Sequence, residues 1–177
     1  MAHVSNSKLL STGTGISNIA DACVVIIRTE WNAAIVDALE SGCLSTLKKQ
    51  GIGRVRILNV PGAVEIPFAI QKYWSVHKYK DDRPHVFIAL GCVIRGGTPH
   101  FEYVCSSVTD GVTQLNLQLP VPVIFGVLTV DNEEQAKERI GGIHGHKGEE
   151  AALTAIKMIA LVHTISQKAP GGNEHPS

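Results

Sequence analysis

Apolar runs that read as strands alternate with segments that read as helices along most of this chain. Strands are predicted at residues 22–27, 54–60, 86–92 and 123–128. The first is followed by apolar residues at near-helical spacing: Ile35, Leu39, Cys43 and Leu47. Such alternation with short links is typical of βαβ units. We therefore expect an α/β fold, a three-layer α/β/α sandwich with a doubly wound, four-stranded parallel sheet, as in flavodoxin-like proteins.

Further helices are predicted at residues 65–74, 104–115 and 149–166, and Pro67 is acceptable in a first helical turn. Another is predicted at residues 131–140, which begin acidic, turn basic and precede Gly141-Gly142. Residues 22–168 then form one domain. Residues 1–21 lack periodicity and are predicted to be an N-terminal arm, and residues 169–177 a disordered tail.

Charge and cysteine content narrow the class of protein. Sixteen basic residues balance sixteen acidic ones among 177, so we expect no nucleic-acid or membrane partner. The four cysteines show no metal-binding or disulfide spacing and read as reduced, mostly buried thiols. No secretory or membrane-spanning segment is recognisable, so we expect a cytoplasmic protein.

Ligands of open α/β sheets bind at the carboxyl ends of the strands, which directs attention to the links there. Trp31 follows the first strand and could stack a flat heterocycle or cap the sheet. Asn32, the next residue, could simply cap the following helix. After the second strand, Glu65 either accepts hydrogen bonds from a ligand or faces the helix dipole.

The third link, around Gly96, Gly97 and Thr98, is predicted to bind an anion. Backbone N–H groups in such a turn can point at negative charge near a helix N-terminus. His100 follows and is either a proton donor and acceptor or a solvated loop histidine. Arg95 is the weaker candidate because it could simply pair with a carboxylate.

Two cations further along the chain could provide a charged half for a phosphate site. Arg139 suits bidentate phosphate binding and Lys147 acts as a point charge. The alternatives are a cation at a helix C-terminus and a solvated lysine. His144 and His146 have no third ligand nearby, so we predict a mobile surface loop and no metal site.

Several motifs in order resemble one enzyme family. They are Trp31-Asn32, VPGAVEIP, GCVIRGGTPHFEYV, PVIFGVLT and NEEQAKERIGG, spread over residues 22–161. Together they resemble the 6,7-dimethyl-8-ribityllumazine synthase family. The resemblance implies condensation of 5-amino-6-(D-ribitylamino)uracil with (S)-3,4-dihydroxy-2-butanone 4-phosphate to the lumazine, phosphate and water, the penultimate step of riboflavin biosynthesis, without metal or organic cofactor.

The resemblance also implies roles for individual residues. One set binds the pyrimidine and its ribityl chain: Trp31 by stacking, Ala63, Val64, Glu65, Cys92, Val93 and Ile94. Gly97 and Thr98 match the phosphate-binding turn, and His100 matches the general acid and base. Phe125, Arg139 and Lys147 match residues that an adjacent subunit supplies, with Arg139 gripping the phosphate. From family position, Glu150 is hypothesised to orient His100.

Family members are pentamers, and some assemble into a 60-subunit shell, so we expect a homo-oligomer with active sites between subunits. Riboflavin synthase is a candidate partner. Two other functions stay open at this point: an archaeal-type riboflavin synthase, and a shell or lumazine-binding protein without activity.

Overall fold

A four-stranded parallel sheet forms the centre of the chain in the computed structural model, which describes residues 19–167. Most of the predicted arm and all of the predicted tail lie outside the described residues. The strand order is β2-β1-β3-β4. The strands are β1 (Cys23–Thr29), β2 (Arg54–Val60), β3 (Val86–Ile94) and β4 (Val123–Val130).

Helices cover both faces of this sheet. They are α1 (Ala33–Lys49), α2 (Ile66–His77), α3 (His100–Gln118), the short α4 (Glu133–Lys137) and α5 (Lys147–Gln167). A 3₁₀ turn, Ala63–Glu65, precedes α2. Helices α1 and α5 share one core with one face of the sheet, and α2 and α3 share a second core with the other face. The predicted three-layer, doubly wound architecture is confirmed.

The central strands explain why this architecture is stable. On β1, Val24 and Ile26 belong to the α1/α5 core, whereas Val25 and Ile27 belong to the α2/α3 core, and all four are fully buried. A strand covered on both faces needs a continuous apolar run rather than alternation. The continuous apolar run at residues 22–27 is therefore explained by the burial of β1 between two layers of helices.

Close helix packing fixes the orientation of α5 against α1. Gly148 is buried at the start of α5, and a Cβ there would lie 2.8 Å from the carbonyl carbon of Leu39 on α1. The two backbones touch because Gly148 has no side chain. No helix within residues 19–167 is both long and apolar enough to cross a membrane.

The helix predicted at residues 131–140 is wrong in extent. Helix α4 covers five residues, and a β-hairpin of β5 (Ile140–Gly142) and β6 (Gly145–His146) follows. Gly141 and Gly145 have positive φ angles of 117° and 75°, so the glycines shape a hairpin rather than cap a helix. The N–H of Lys147 donates to the carbonyl of Arg139 at 2.8 Å and closes the hairpin.

Candidate active site

The link between β1 and α1 presents an aromatic ring at the carboxyl edge of the sheet. Trp31 is 73% exposed. Asn32 occupies the N-cap position of α1, and its carbonyl accepts from the N–H groups of Ile35 and Val36. Its side chain does not cap the helix. Instead its Nδ2 donates to the carbonyl oxygen of Cys92 at 2.8 Å, which ties this link to the end of β3.

The link between β2 and α2 brings a carboxylate close to that ring. Gly62 precedes the 3₁₀ turn, and a Cβ on it would lie 3.0 Å from Oε2 of Glu65 and 3.5 Å from Cδ1 of Trp31. Glu65 is exposed and ends the 3₁₀ turn. The aromatic ring, the glycine backbone and the carboxylate therefore lie side by side.

The end of β3 lies at the same edge of the sheet as these two links. Cys92 is buried, and burial raises the pKa of its thiol to about 11, so the thiol is protonated and packs as a small apolar group. Asn32 engages the Cys92 carbonyl, and the next two residues, Val93 and Ile94, end β3 beside it.

One cavity of about 520 Å³ joins these three links. Its lining includes every residue of the predicted pyrimidine and ribityl set that precedes β4, together with the predicted acid and base: Trp31, Ala63, Val64, Glu65, Cys92, Val93, Ile94 and His100. Two further lining residues, Thr29 and Val104, were missed. Thr29 ends an apolar strand, is 1% exposed, and its hydroxyl has no hydrogen-bond partner among the described residues.

The glycine-rich turn lies directly before α3 and is open. Gly97 and Thr98 are exposed, and a Cβ at Gly97 would meet no atom within 4 Å. His100 is exposed and is the first residue of the 19-residue α3, so it stands at the positive end of the helix dipole. The turn thus has room and polarity for an anion beside an imidazole.

Arg95 does not contribute a free charge to that turn. Its Nε donates to Asp131 at 2.8 Å, a second nitrogen pairs with Glu102, and the guanidinium lies 4.2 Å from the Phe101 ring. Hydrogen bonding from Arg95 holds the pKa values of both carboxyl groups below their usual range. The alternative that Arg95 pairs with a nearby carboxylate is confirmed.

A separate cleft of about 540 Å³ follows the edge strand β4 and contains the other predicted residues. Phe125, Arg139, Lys147 and Glu150 line it, and none of them lines the cavity that contains His100. Phe125 is 41% exposed. Arg139 donates to the Gln135 carbonyl at 2.6 Å, while its Nε is buried without a hydrogen-bond partner in the described chain.

Lys147 is already paired within the chain. Its Nζ lies 2.8 Å from both carboxylate oxygens of Glu150. Glu150 therefore lies beside Lys147 in the β4 cleft, and its hypothesised contact with His100 is not made inside one chain. Lys147 and Glu150 therefore neutralise each other, whereas Arg139 lies 3.6 Å from Glu138 and keeps a buried Nε without a hydrogen-bond partner in the described chain.

The histidine pair belongs to the β5/β6 hairpin, with His144 in its turn and His146 on β6, so the predicted loop is a hairpin. The His146 ring packs on α1, where a Cβ at Gly42 would lie 2.6 Å from its Nδ1. His144 lies 3.6 Å from Glu138. Within residues 19–167, no three His, Cys, Asp or Glu side chains gather to hold a metal ion. The local sequence did not reveal this packing because Gly42 lies about 100 positions away.

Comparison with known proteins gives a consistent set of similarities. A family model described as 6,7-dimethyl-8-ribityllumazine synthase matches residues 21–163. Proteins named 6,7-dimethyl-8-ribityllumazine synthase from Cytophaga hutchinsonii and Porphyromonas gingivalis are 45% and 46% identical to the chain. The first alignment covers 88% of this chain and 97% of the relative, and the second covers 80% and 86%. A protein of the same name from Bacteroides fragilis is 44% identical over 80% of the chain and 97% of its own length.

Proposed function

Because the chain belongs to the 6,7-dimethyl-8-ribityllumazine synthase family, we propose that the cavity beneath Trp31 is one half of its active site and that an adjacent subunit supplies the other half. The chain is an enzyme of riboflavin biosynthesis and catalyses the condensation that forms the lumazine. We assign it 5-amino-6-(D-ribitylamino)uracil and (S)-3,4-dihydroxy-2-butanone 4-phosphate as substrates, with phosphate and water as the other products.

The cavity suits the pyrimidine substrate. The heterocycle stacks on the exposed ring of Trp31, and backbone groups of Val93 and Ile94 meet its edge. The ribityl chain extends past Ala63 towards Glu65, whose carboxylate accepts hydrogen bonds from hydroxyl groups. This arrangement fixes the amine that attacks the ketone.

The turn at Gly97 and Thr98 holds the phosphate of the second substrate, and His100 moves protons. Attack of the amine on the ketone and loss of one water give a Schiff base. Phosphate is then eliminated, and attack of the ribityl-bearing nitrogen on the remaining carbonyl carbon closes the ring with loss of a second water. Each step requires proton transfer next to a held leaving group. Positioning of two substrates in one cavity contributes much of the rate enhancement.

One observation supports the shared site most strongly. Within residues 19–167, the cavity lining includes the carboxylate of Glu65 but no lysine or arginine, and the nearby Arg95 is paired with two carboxylates. A phosphate dianion there needs a cation from elsewhere. Arg139 of a neighbouring subunit provides this cation and binds the phosphate, and Phe125 of the same subunit covers the pyrimidine. Lys147 is assigned a secondary phosphate contact.

The activity is tested by mixing the purified protein with both substrates and following the lumazine chromophore and released phosphate. The rate must exceed that of the uncatalysed reaction, and equality of the two rates refutes the proposal. Arg139→Ala is expected to raise KM for the butanone phosphate more than tenfold, as for a lost charged hydrogen bond of about 1.5–3 kcal/mol. Lys137→Ala, which removes an exposed cation of α4, is the matched control.

His100→Ala is expected to lower turnover only partly, since general acid–base catalysis contributes about 10²–10⁴-fold and substrate positioning survives. The KM for the pyrimidine amine should change little. An Arg139→Ala enzyme that loses pyrimidine binding while keeping its phosphate dependence contradicts the assignment of these roles.

We also propose that the enzyme is a cytoplasmic homo-oligomer, a pentamer or a 60-subunit shell, with riboflavin synthase as a candidate partner. Large apolar side chains stay exposed on one chain, among them Phe68, Tyr103, Leu117 and Phe125, as expected of surfaces that pack against other subunits. All four cysteines are free, which suits a reducing compartment. Light scattering separates five chains from sixty, and a monomer refutes the proposal.

A further inference from the structure

Asn32 has a backbone conformation that no other residue in the described chain adopts without being glycine. Its φ and ψ angles are 56° and 46°, in the left-handed region, and among residues 19–167 only glycines otherwise have positive φ. Asparagine tolerates this region better than most residues, but the conformation persists only where surrounding contacts hold it.

The contact that holds Asn32 crosses the cavity floor. Its Nδ2 donates to the carbonyl of Cys92, 60 positions away, at 2.8 Å. The carboxamide therefore does not cap α1, as an asparagine at this position ordinarily would. A neighbouring backbone bond, from the N–H of Glu30 to the carbonyl of Val60 at 3.0 Å, ties the same link to β2. Both ties lie within two residues of Trp31.

Within the described residues of its own chain, Trp31 has few contacts. The side chain is 73% exposed, and its ring edge approaches the backbone of Gly62. Packing on the apolar core therefore does not set the direction of the ring. The nearest fixed feature of this link is the backbone turn at Asn32, which the bond to Cys92 holds.

We propose that Asn32 is a positioning residue that aims Trp31 at the pyrimidine substrate through its left-handed backbone and its hydrogen bond to Cys92. The inference rests on the proposed stacking role of Trp31. Its specific consequence is that the identity of residue 32 controls affinity for the pyrimidine, not the chemical steps or the grip on the phosphate.

Two substitutions separate the hydrogen bond from the backbone conformation. Asn32→Gly keeps the left-handed turn accessible and removes the bond, whereas Asn32→Asp keeps the shape and replaces the donor with a carboxylate. Loss of an ordinary hydrogen bond corresponds to about fivefold in affinity. We expect KM for the pyrimidine amine to rise about fivefold in Asn32→Gly and more in Asn32→Asp, with kcat and KM for the butanone phosphate within about twofold.

Asn59→Asp is the control for added charge. Asn59 is exposed on β2 and has no side-chain hydrogen bond within the described chain, so this variant should keep all three kinetic constants. A rise in pyrimidine KM equal to that of Asn32→Asp would mean that charge alone explains the effect and would overturn the inference.

A double-mutant cycle tests whether Asn32 acts through Trp31. Trp31→Ala is expected to raise KM for the pyrimidine, and adding Asn32→Gly should then have no further effect. Independent effects that multiply in the double variant overturn the positioning role. If Trp31→Ala raises this KM and Asn32→Gly does not, the inference about Asn32 is wrong and the proposed site stands. If Trp31→Ala leaves it unchanged, the stacking assignment itself is wrong, and the role of Asn32 falls with it.

Fluorescence gives a readout that a purely structural role would not change. The chain has two tryptophans, so Trp74→Phe leaves Trp31 as the only one, and excitation at the red edge of the absorption band avoids the three tyrosines. We expect Asn32→Gly in this background to lower the emission anisotropy of Trp31 and to weaken its quenching by the pyrimidine amine. Unchanged anisotropy and quenching contradict the inference.

Discussion

A mixture of two damaged enzymes should recover activity if each active site is shared between subunits. His100→Ala damages the cavity, and Arg139→Ala damages the β4 cleft, which has no lining residue in common with the cavity. In a mixed ring, a subunit carrying Arg139→Ala still has an intact cavity. When its neighbour carries His100→Ala, that neighbour supplies an intact cleft, and the site between them is wild type.

The size of the recovery follows from this geometry. With equal amounts and random order, the cavity is intact at half of the interfaces, and the facing cleft is intact at half of those. About one quarter of all sites are then wild type in a closed ring with one site at each interface. The mixed particle should show about one quarter of the wild-type rate in addition to the residual rates of the two variants.

The assay requires particles that contain both variants. The two chains are co-expressed with different affinity tags, and tandem purification on both tags removes uniform particles. The formation of the lumazine chromophore is then measured at saturating concentrations of both substrates. Particles of each variant alone, purified in the same way, give the residual rates.

A mixed particle no faster than the mean of its two parents refutes the shared site, because both halves would then belong to one chain. A negative control uses two substitutions in the same half, His100→Ala and Trp31→Ala. No chain in that mixture has an intact cavity, so no recovery is expected. Recovery in that control would mean that Trp31 and His100 act from different subunits.

Three further predictions concern packing, proton transfer and pH. Gly148→Ala should lower the free energy of unfolding by about 1–3 kcal/mol, because the new Cβ would overlap the backbone of Leu39. This cost exceeds the gain in helix propensity of about 1 kcal/mol. Thermal unfolding measures the change in stability. Glu150→Gln should lower turnover severalfold and shift its pH profile, measured by steady-state kinetics, if Glu150 orients the imidazole of the adjacent subunit. Burial lowers the pKa of His85, whose Nδ1 accepts the N–H of Cys23 at 3.0 Å. The contribution of neutral His85 to stability is therefore present above the ordinary pKa of 6.5 and is lost as pH falls below it. The carboxamide oxygen of Asn can accept the same bond but does not titrate. His85→Asn should therefore flatten the dependence of Tm on pH in that range.

Matched variants make these predictions specific. Gly53→Ala places a Cβ in open space and should keep the Tm of the parent. Glu149→Gln removes the neighbouring carboxylate and should leave turnover and its pH profile unchanged. An exposed histidine, His163, provides the control for His85. Equal Tm values for Gly148→Ala and the parent, identical profiles for Glu150→Gln and the parent, or an unaltered pH dependence in His85→Asn would each contradict its prediction.

The sequence by itself determined the layers of the fold and the edge where the proposed site lies. Four apolar runs separated by helical spacing are local signals, and a run as continuous as residues 22–27 is typical of a strand covered on both faces. Parallel strands then bring their carboxyl ends to one edge, which is why Trp31, Glu65 and His100 could be expected near one another and do line one cavity.

Only the tertiary structure showed that the candidate residues lie in two separate places, a cavity and a cleft, and which contacts fix the links around them. The pattern at residues 131–140 predicted a full helix, but packing of His146 against Gly42 and the closing bond from Lys147 to Arg139 favour a hairpin. The hydrogen bond from Asn32 to Cys92 likewise spans 60 positions. Local periodicity says nothing about contacts between distant segments. It therefore indicated the candidate residues but not their separation into a cavity and a cleft on one chain.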